Sequence, residues 1–424
     1  MAAQGRVRCR FCWLLVIIAL LTLTISTGVW NPFPSLWDWI NTSRPLADPN
    51  TEWQERLGGV PKTVTVLDSY VIIEHRESVE VRSRASGRQL WQTKADWAAV
   101  ANGLVVVGTL LEKGYEVRET SSGAVIRRDD RAAAVWTFTN AMLDVTCRSS
   151  KDCELVARDP AEGTQRWRAI LPGIGFVLFA DNPGLAGAEQ MGNNLTMMPP
   201  LLGFPIDNRV HVVDTSSGRL LRAVPEDQHT VVHVVAGRVI HSTTVSRNGR
   251  CIPTVTGREG ASGSEIWRKE GYQLLSMNGA GCDQRGEPKA GGNAVVAIRP
   301  DGFQALLDAG DGREVLVCGD GEKILGTDGI HAVVQTSDGS RIVGYAVGRS
   351  KPLWTREADK KVAVTVTRSA VVVSDRSPER IIVLDPATGA VRSEVRSGAD
   401  VLASDSRGLM LGDRRELGYL SLAG

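Results

Sequence analysis

Asp159-Pro160-Ala161-Glu162-Gly163-Thr164-Gln165-Arg166-Trp167 is the stretch that decides the fold. An Asp carboxylate accepts backbone N–H bonds within a tight turn, Pro pre-sets the next φ, and Gly supplies the positive φ that other residues resist. Trp then follows the glycine by four positions. The pattern recurs as Ser83 to Gly87 with Trp91, Glu119 to Gly123, Asp214 to Gly218, and Gly263 with Trp267. It continues as Asp308 to Gly312, Ser350 with Trp354, and Asp385-Pro386-Ala387-Thr388-Gly389. Eight such marks at a period of about 40 residues, set among short apolar strands, specify an all-β chain of the β-propeller type.

The strands between marks agree. Leu104-Val105-Val106-Val107 is a β-branched run suited to a strand buried on both faces, whereas Gly114-Tyr115-Glu116-Val117-Arg118 alternates as a half-exposed strand does. Trp91, Trp167, Trp267 and Trp354 are expected to fill the gaps between blades. Ile126, Leu221, Leu316 and Val391 are expected in that role where Trp is missing. Residues 407–413 and 416–422 read as two further strands, and Trp53 marks an outer strand supplied from the N-terminal side. Such a split blade joins the chain ends and hides an edge. Eight marks plus this partial unit are read as an eight-bladed propeller, with seven blades as the alternative and nine as a less comfortable count.

Residues 11–30, bounded by Phe11 and Trp30, carry no charge. Twenty such uncharged residues cover about 30 Å of bilayer core. Arg6, Arg8 and Arg10 precede them, so the positive-inside rule places a cytoplasmic tail at 1–10 and everything after Trp30 outside. The run is longer than a signal-peptide core and no small-residue cleavage triplet follows it, which favours an uncleaved single-pass transmembrane helix. Residues 31–60, interrupted by Pro32, Pro34, Pro45 and Pro49, read as a tether, and 61–424 as the propeller. The expected location is the cell membrane, with the propeller extracellular.

Export permits disulfides. Cys147 and Cys153 flank a five-residue polar loop between two strands, and Cys251 with Cys282 is the second expected pair, bridging adjacent blades. Cys318 is left over and reads as a buried apolar residue.

The Asp-Pro-Ala-x-Gly turns and the Trp four positions after glycine resemble the repeats of the pyrroloquinoline-quinone-type β-propellers, over about residues 60–424. With one anchor and Arg far commoner than Lys, the chain resembles membrane-anchored members of that family from high-GC Gram-positive bacteria. The family includes quinoprotein alcohol dehydrogenases and a propeller lipoprotein of outer-membrane protein assembly. Its enzymes hold the quinone between a Trp floor and a bridge of adjacent cysteines, with calcium on acidic and amide groups. No two cysteines are adjacent in this sequence, and Asp308 and Asp311 belong to a repeat turn.

Other chemistry is thin. Lys and Arg number 49 against 48 Asp and Glu, so the net charge of +1 offers nucleic acid no electrostatic footprint. No Gly-x-Ser-x-Gly elbow or P-loop occurs. His229 and His233 share a strand face but lack a third ligand at motif spacing. No catalytic, cofactor or metal residues are assigned. The longest interval between marks places an insertion at about 172–208, and Met191, Met197, Met198 and Leu201 within it are the candidate partner-binding residues. A second insertion, rich in glycine, covers 278–293. The expected function is a non-catalytic extracytoplasmic scaffold presenting a propeller face to a protein or cell-envelope partner; the alternative is a quinone-dependent dehydrogenase-like enzyme. Carbonate washing should leave the full-length chain in the membrane pellet, with a mature N-terminus before residue 31. A mature start near residue 30, read by mass spectrometry, would replace the anchor with a signal peptide.

Overall fold

The computed structural model describes residues 51–422, apart from 111, 150, 174–196, 226, 236, 278–281, 287, 377 and 378. The expected span at 11–30 lies outside these residues. Among the described residues no helix is long and apolar enough to cross a membrane.

The described strands form nine antiparallel blades rather than eight or seven. Blades 1 to 3 span 63–94, 97–129 and 134–171, and blade 4 spans 201–225 with three described strands. Blades 5 to 8 span 230–270, 290–317, 323–357 and 363–395. Blade 9 takes three strands from 400–421 and its outermost from Thr51–Arg56, inside the stretch read as tether; Trp53 pairs there with Tyr419. The ninth blade escaped the count for a topological reason. Each turn mark joins the third strand of a blade to its fourth, and in the split blade that connection is the gap between the chain ends.

Neighbouring blades pack through nine separate apolar clusters, one per interface. In blade 1, Val71 and Ile73 face blade 9 while Ile72 faces blade 2. In blade 8, Val371 and Val373 face blade 7 and Val372 faces blade 9. Because both sheet faces are buried, these second strands read as continuous apolar runs. The cluster of Val64, Val71 and Ile73 with Ala403, Met410 and Leu417 brings blade 9 against blade 1 and closes the ring. First strands of successive blades touch one another, as Thr63–Val66 touches Asp400–Ser404, which puts them at the axis and the fourth strands at the rim.

The repeat turn is an interlock. In seven turns the glycine N–H donates to the carbonyl of the first turn residue at 2.8–2.9 Å. Gly312 has φ +73°, and a Cβ there would lie 2.7 Å from the Trp267 ring of the preceding blade. The Trp267 indole N–H donates to Ala309 O in that same turn at 3.0 Å. Trp91 reaches Thr120 O at 2.8 Å, Trp354 reaches Pro386 O at 2.9 Å, and Trp53 reaches Arg84 O at 2.6 Å. Each acceptor is the second turn residue of the next blade. Trp167 packs under Gly218 likewise, with its indole nitrogen unpartnered among the described residues.

The expected substitutes hold only in part. Leu316 is buried between blades 6 and 7. Ile126 and Val391 are 50% and 42% exposed, and Leu221 only flanks the blade 4–5 core. Arg127 and Arg222, each four after its glycine, take the place instead. Their guanidinium groups lie against Gly163 and Gly263, and Arg222 Nη1 donates to Ser262 O at 3.2 Å. A planar guanidinium stacks where an indole would. A further arginine immediately precedes four of the turns. Arg82, Arg118, Arg158 and Arg258 donate to the carbonyls of Gly87, Gly123, Gly163 and Gly263 at 2.8–3.2 Å.

The closing seam carries additional polar bonds. Arg84 is buried and forks onto Asp405 at 2.6 and 2.7 Å, with Tyr419 Oη at 2.6 Å from its Nη2. Trp53 stacks on Tyr419 with centroids 6.1 Å apart. At the other end of blade 1, His75 Nε2 lies 3.3 Å from Glu80 Oε1, and Glu80 also accepts from Arg82 at 3.1 Å. The hydrogen bond to Glu80 raises the His75 pKa against the opposing effect of burial.

Trp267→Ala should cost about 3–5 kcal/mol of stability, while Ile266→Ala beside it stays within about 0.5 kcal/mol; urea titration of both variants checks the contrast. Because the His75 pKa is raised on folding, its contribution is fully present below about pH 6.5 and is lost as pH rises through the folded value. Burial pushes His233 and His241 down to about 4, so their effects fall below pH 6.5. Urea midpoints should therefore decline from pH 6.5 to 8.5, and His75→Asn should flatten that decline.

Candidate functional site

Alternating hairpins give the ring two unlike faces. Turns between third and fourth strands lie on one, the turn face. Turns between second and third strands, and the links between blades, lie on the other, the link face.

The link face is built up on blades 3 and 5. In blade 5, Arg238–Arg247 and Arg250–Glu259 are ten residues each. The first strand pairs only with 238–243 and the fourth with 254–258, so 244–253 stand beyond the sheet. Asn248 (φ 51°) and Gly249 (φ 72°) make the tight left-handed turn at the tip. Val245 and Ile252 are cross-strand partners, 52% and 39% exposed. Arg247 faces Arg250 directly, and neither makes an ion pair among the described residues. Like charges opposite one another destabilise a hairpin, so this tip works against its own folding.

The segment after blade 5 braces it. Leu274 and Leu275 enter the blade 5–6 core, and Ser276–Met277 pairs with Gln284–Arg285. Cys282 is disulfide-bonded to Cys251, with Cα atoms 5.4 Å apart, and its carbonyl accepts from Thr244 Oγ1 at 2.7 Å. Buried Gln284 accepts from Ser242 Oγ at 2.5 Å and donates to Ser242 O and His229 O at 2.7 and 3.0 Å. The sequence carried no signal for Gln284, a lone amide in a glycine-rich run. In blade 3, the Cys147–Cys153 disulfide links cross-strand partners next to the hairpin turn, and Ile170 at the same end is 71% exposed. Cys318 is buried and its thiol is pushed up to about 12 by that burial, which keeps it protonated.

The expected partner residues are not brought together as one patch. Met191 lies outside the described residues. Met197 is 65% exposed and its sulfur is 3.0 Å from Thr139 Oγ1, on the turn face. The Met198 N–H donates to Asn140 Oδ1 at 2.9 Å, and its half-buried side chain packs on the blade 3–4 core. Leu201 is buried in the blade 4–5 core. Trp91, Trp167, Trp267 and Trp354 all serve the interlock. His229 precedes the strand Thr230–Val235, in which His233 is held neutral by burial. Among the described residues no three His, Cys, Asp or Glu side chains could jointly hold a metal.

The residues present do not fit a quinone in the manner of the enzymes that the turns resemble. Cys147–Cys153 and Cys251–Cys282 both staple link-face hairpins, and neither joins adjacent cysteines. Asp308 Oδ1 and Asp311 Oδ1 accept backbone N–H bonds from Gly310 and Arg313 within their own turn, at 2.7 and 2.9 Å.

No known family signature matches the chain, and no curated protein matches it in sequence. Among solved structures it aligns with BamB from Moraxella catarrhalis at 15% identity and TM-score 0.39, covering 80% of this chain and 95% of that one. It aligns with the quinohemoprotein alcohol dehydrogenase of Comamonas testosteroni at 12% identity and TM-score 0.40, covering 90% and 78%. The computationally designed Ika8 protein aligns at 12% and 0.41, covering 86% and 98%. At these identities and scores the alignments carry no argument about what the chain binds.

Non-reducing peptide mapping should recover the 147–153 and 251–282 links. Cys251→Ala/Cys282→Ala should raise amide exchange at Thr244 and Gln284 at least about tenfold while the blade cores stay protected. Unchanged exchange there would mean that Gln284 alone holds the brace.

Proposed function

We propose that this chain is a membrane-anchored, non-catalytic extracytoplasmic scaffold that docks a protein partner through the link face over blades 3 to 5. The single observation behind this reading is the braced hairpin tip of blade 5. It holds an exposed Val245–Ile252 pair and a self-repelling Arg247–Arg250 pair out from the sheet. Where a local folding rule is broken at a pinned, protruding site, function is the physical reason to look for. Exposed aliphatic residues beside arginine suit a partner surface that is itself apolar and acidic. The membrane location rests on the apolar run at 11–30 and its arginine flank.

A photo-crosslinking residue at Val245 in intact membranes should give one discrete adduct, and the same residue at Ile330 on the turn face should give none. Arg247→Glu/Arg250→Glu should remove the adduct without changing the melting temperature. Equal labelling from both faces, or labelling that survives the charge reversal, would overturn the assignment. The enzyme alternative is tested by adding pyrroloquinoline quinone and calcium to the full chain: a bound chromophore with dye-reducing activity would displace the scaffold reading.

A further inference from the structure

We infer that the ring's closing seam contains a binding site for an uncharged oligosaccharide, on the turn face and separate from the link-face surface above. An open cleft of about 730 Å³ lies there between blades 9 and 1, reaching Ser121 of blade 2. That is within the usual size of small-ligand sites. One wall is the turn of blade 1, from Ser83 to Arg88. The others are the short connections at Ser69 and Ser406, with Glu52 where the described chain begins.

The chemistry of the lining selects the ligand. Arg84 lines the cleft, but its guanidinium is fully engaged by Asp405 and Tyr419. It is a neutralised wall rather than an anion trap. Of the remaining charges, Arg407 sits 3.3 Å from Asp68, an exposed pair. Arg88 and Glu52 bring one charge of each sign and make no ion pair among the described residues. The cleft is therefore rich in charge but balanced, and a net charge on the ligand gains nothing from it. What it offers in excess is short-range hydrogen bonding. The hydroxyls of Ser69, Ser83, Ser406 and Tyr70 make no hydrogen bond among the described residues, and the Arg88 guanidinium is likewise uncommitted. Paired donors and acceptors of this kind match vicinal sugar hydroxyls, each of which donates and accepts. Tyr70 and Leu90 add an apolar strip for the C–H face of a pyranose ring.

The position also predicts a consequence. A ligand here touches the split blade and the first blade together, so it binds the closed ring better than an opened one and stabilises it by linkage. None of this depends on the link face binding a partner, so the two ideas fail separately.

The test uses the full chain in detergent, with maltohexaose, cellohexaose, mannohexaose and chitohexaose as uncharged probes and hexagalacturonate as the charged one. Calorimetry should find saturable binding of at least one uncharged probe, with a rise in melting temperature of about 2 °C or more at saturation. Arg88→Ala should weaken that binding about tenfold, the worth of one hydrogen bond to a charged group. Ser406→Trp, which fills the cleft from an exposed position, should abolish it. Both variants lie outside the Arg84–Asp405–Tyr419 cluster and should melt like the parent chain without sugar. Absence of binding by all four uncharged probes at 10 millimolar (about the weakest useful affinity), preference for hexagalacturonate, or undiminished binding in both variants would each overturn the site.

Discussion

Every blade of this protein has two apolar faces, and that constraint governs the rest of the structure. A sheet such as blade 1, with Val71 and Ile73 on one side and Ile72 on the other, cannot terminate a stack without exposing a hydrophobic surface. The stack must therefore return on itself. Closure is carried by a non-covalent seam, because the outermost strand of blade 9 comes from residues 51–56 and the other three from the far end of the chain. The seam carries directional bonds besides apolar packing: the Arg84 fork on Asp405 and its bond to the Tyr419 hydroxyl, with Trp53 stacked on that ring. A charge-assisted bidentate bond is directional in a way that aliphatic packing is not, which suits a joint whose two halves must find one register.

Between the other blades the same problem is solved locally. At Trp91, Arg127, Trp167, Arg222 and Trp267 the side chain four residues after the turn glycine reaches the turn of the next blade, and the glycine there leaves room for it. Trp267 both packs on Gly312 and donates to Ala309 O, so one side chain supplies apolar area and a directed bond. Arg127 and Arg222 in the equivalent place show that a flat, long guanidinium fills it as an indole does. Ile126, one residue before Arg127, faces solvent instead.

A ring stiffened in this way can carry projections without distortion, and the disulfides lie where the projections are. Both lie towards the link-face ends of blades 3 and 5, next to the hairpin turn or the protruding tip. Buried carboxylates, by contrast, are committed to architecture: Asp144 is held by Arg158 and Tyr115, and Glu80 by His75 and Arg82. The chemistry left over for recognition therefore lies on the faces, in the hairpin tip of blade 5 and in the hydroxyl-lined cleft of the seam.

The repeat turns, the strand runs and the cysteine spacing are local properties, and the sequence determined them unaided. Asp-x-x-x-Gly has few conformations open to it, and a β-branched run between two such turns has few places to go. A propeller with short paired strands was legible for that reason, as was an outer strand around Trp53. Blade number was not, because it depends on how the two chain ends pair across more than 360 residues, and the split blade carries no turn of its own. Likewise Met198 and Leu201 look available in a loop-like sequence, yet packing against blades 3 to 5 buries one and half-buries the other. The Arg84–Asp405 fork, the Gln284 brace and the seam cleft join residues far apart in the chain. Only ring closure decides which of them meet, since side chains without a shared local pattern become neighbours solely through the packing of whole sheets.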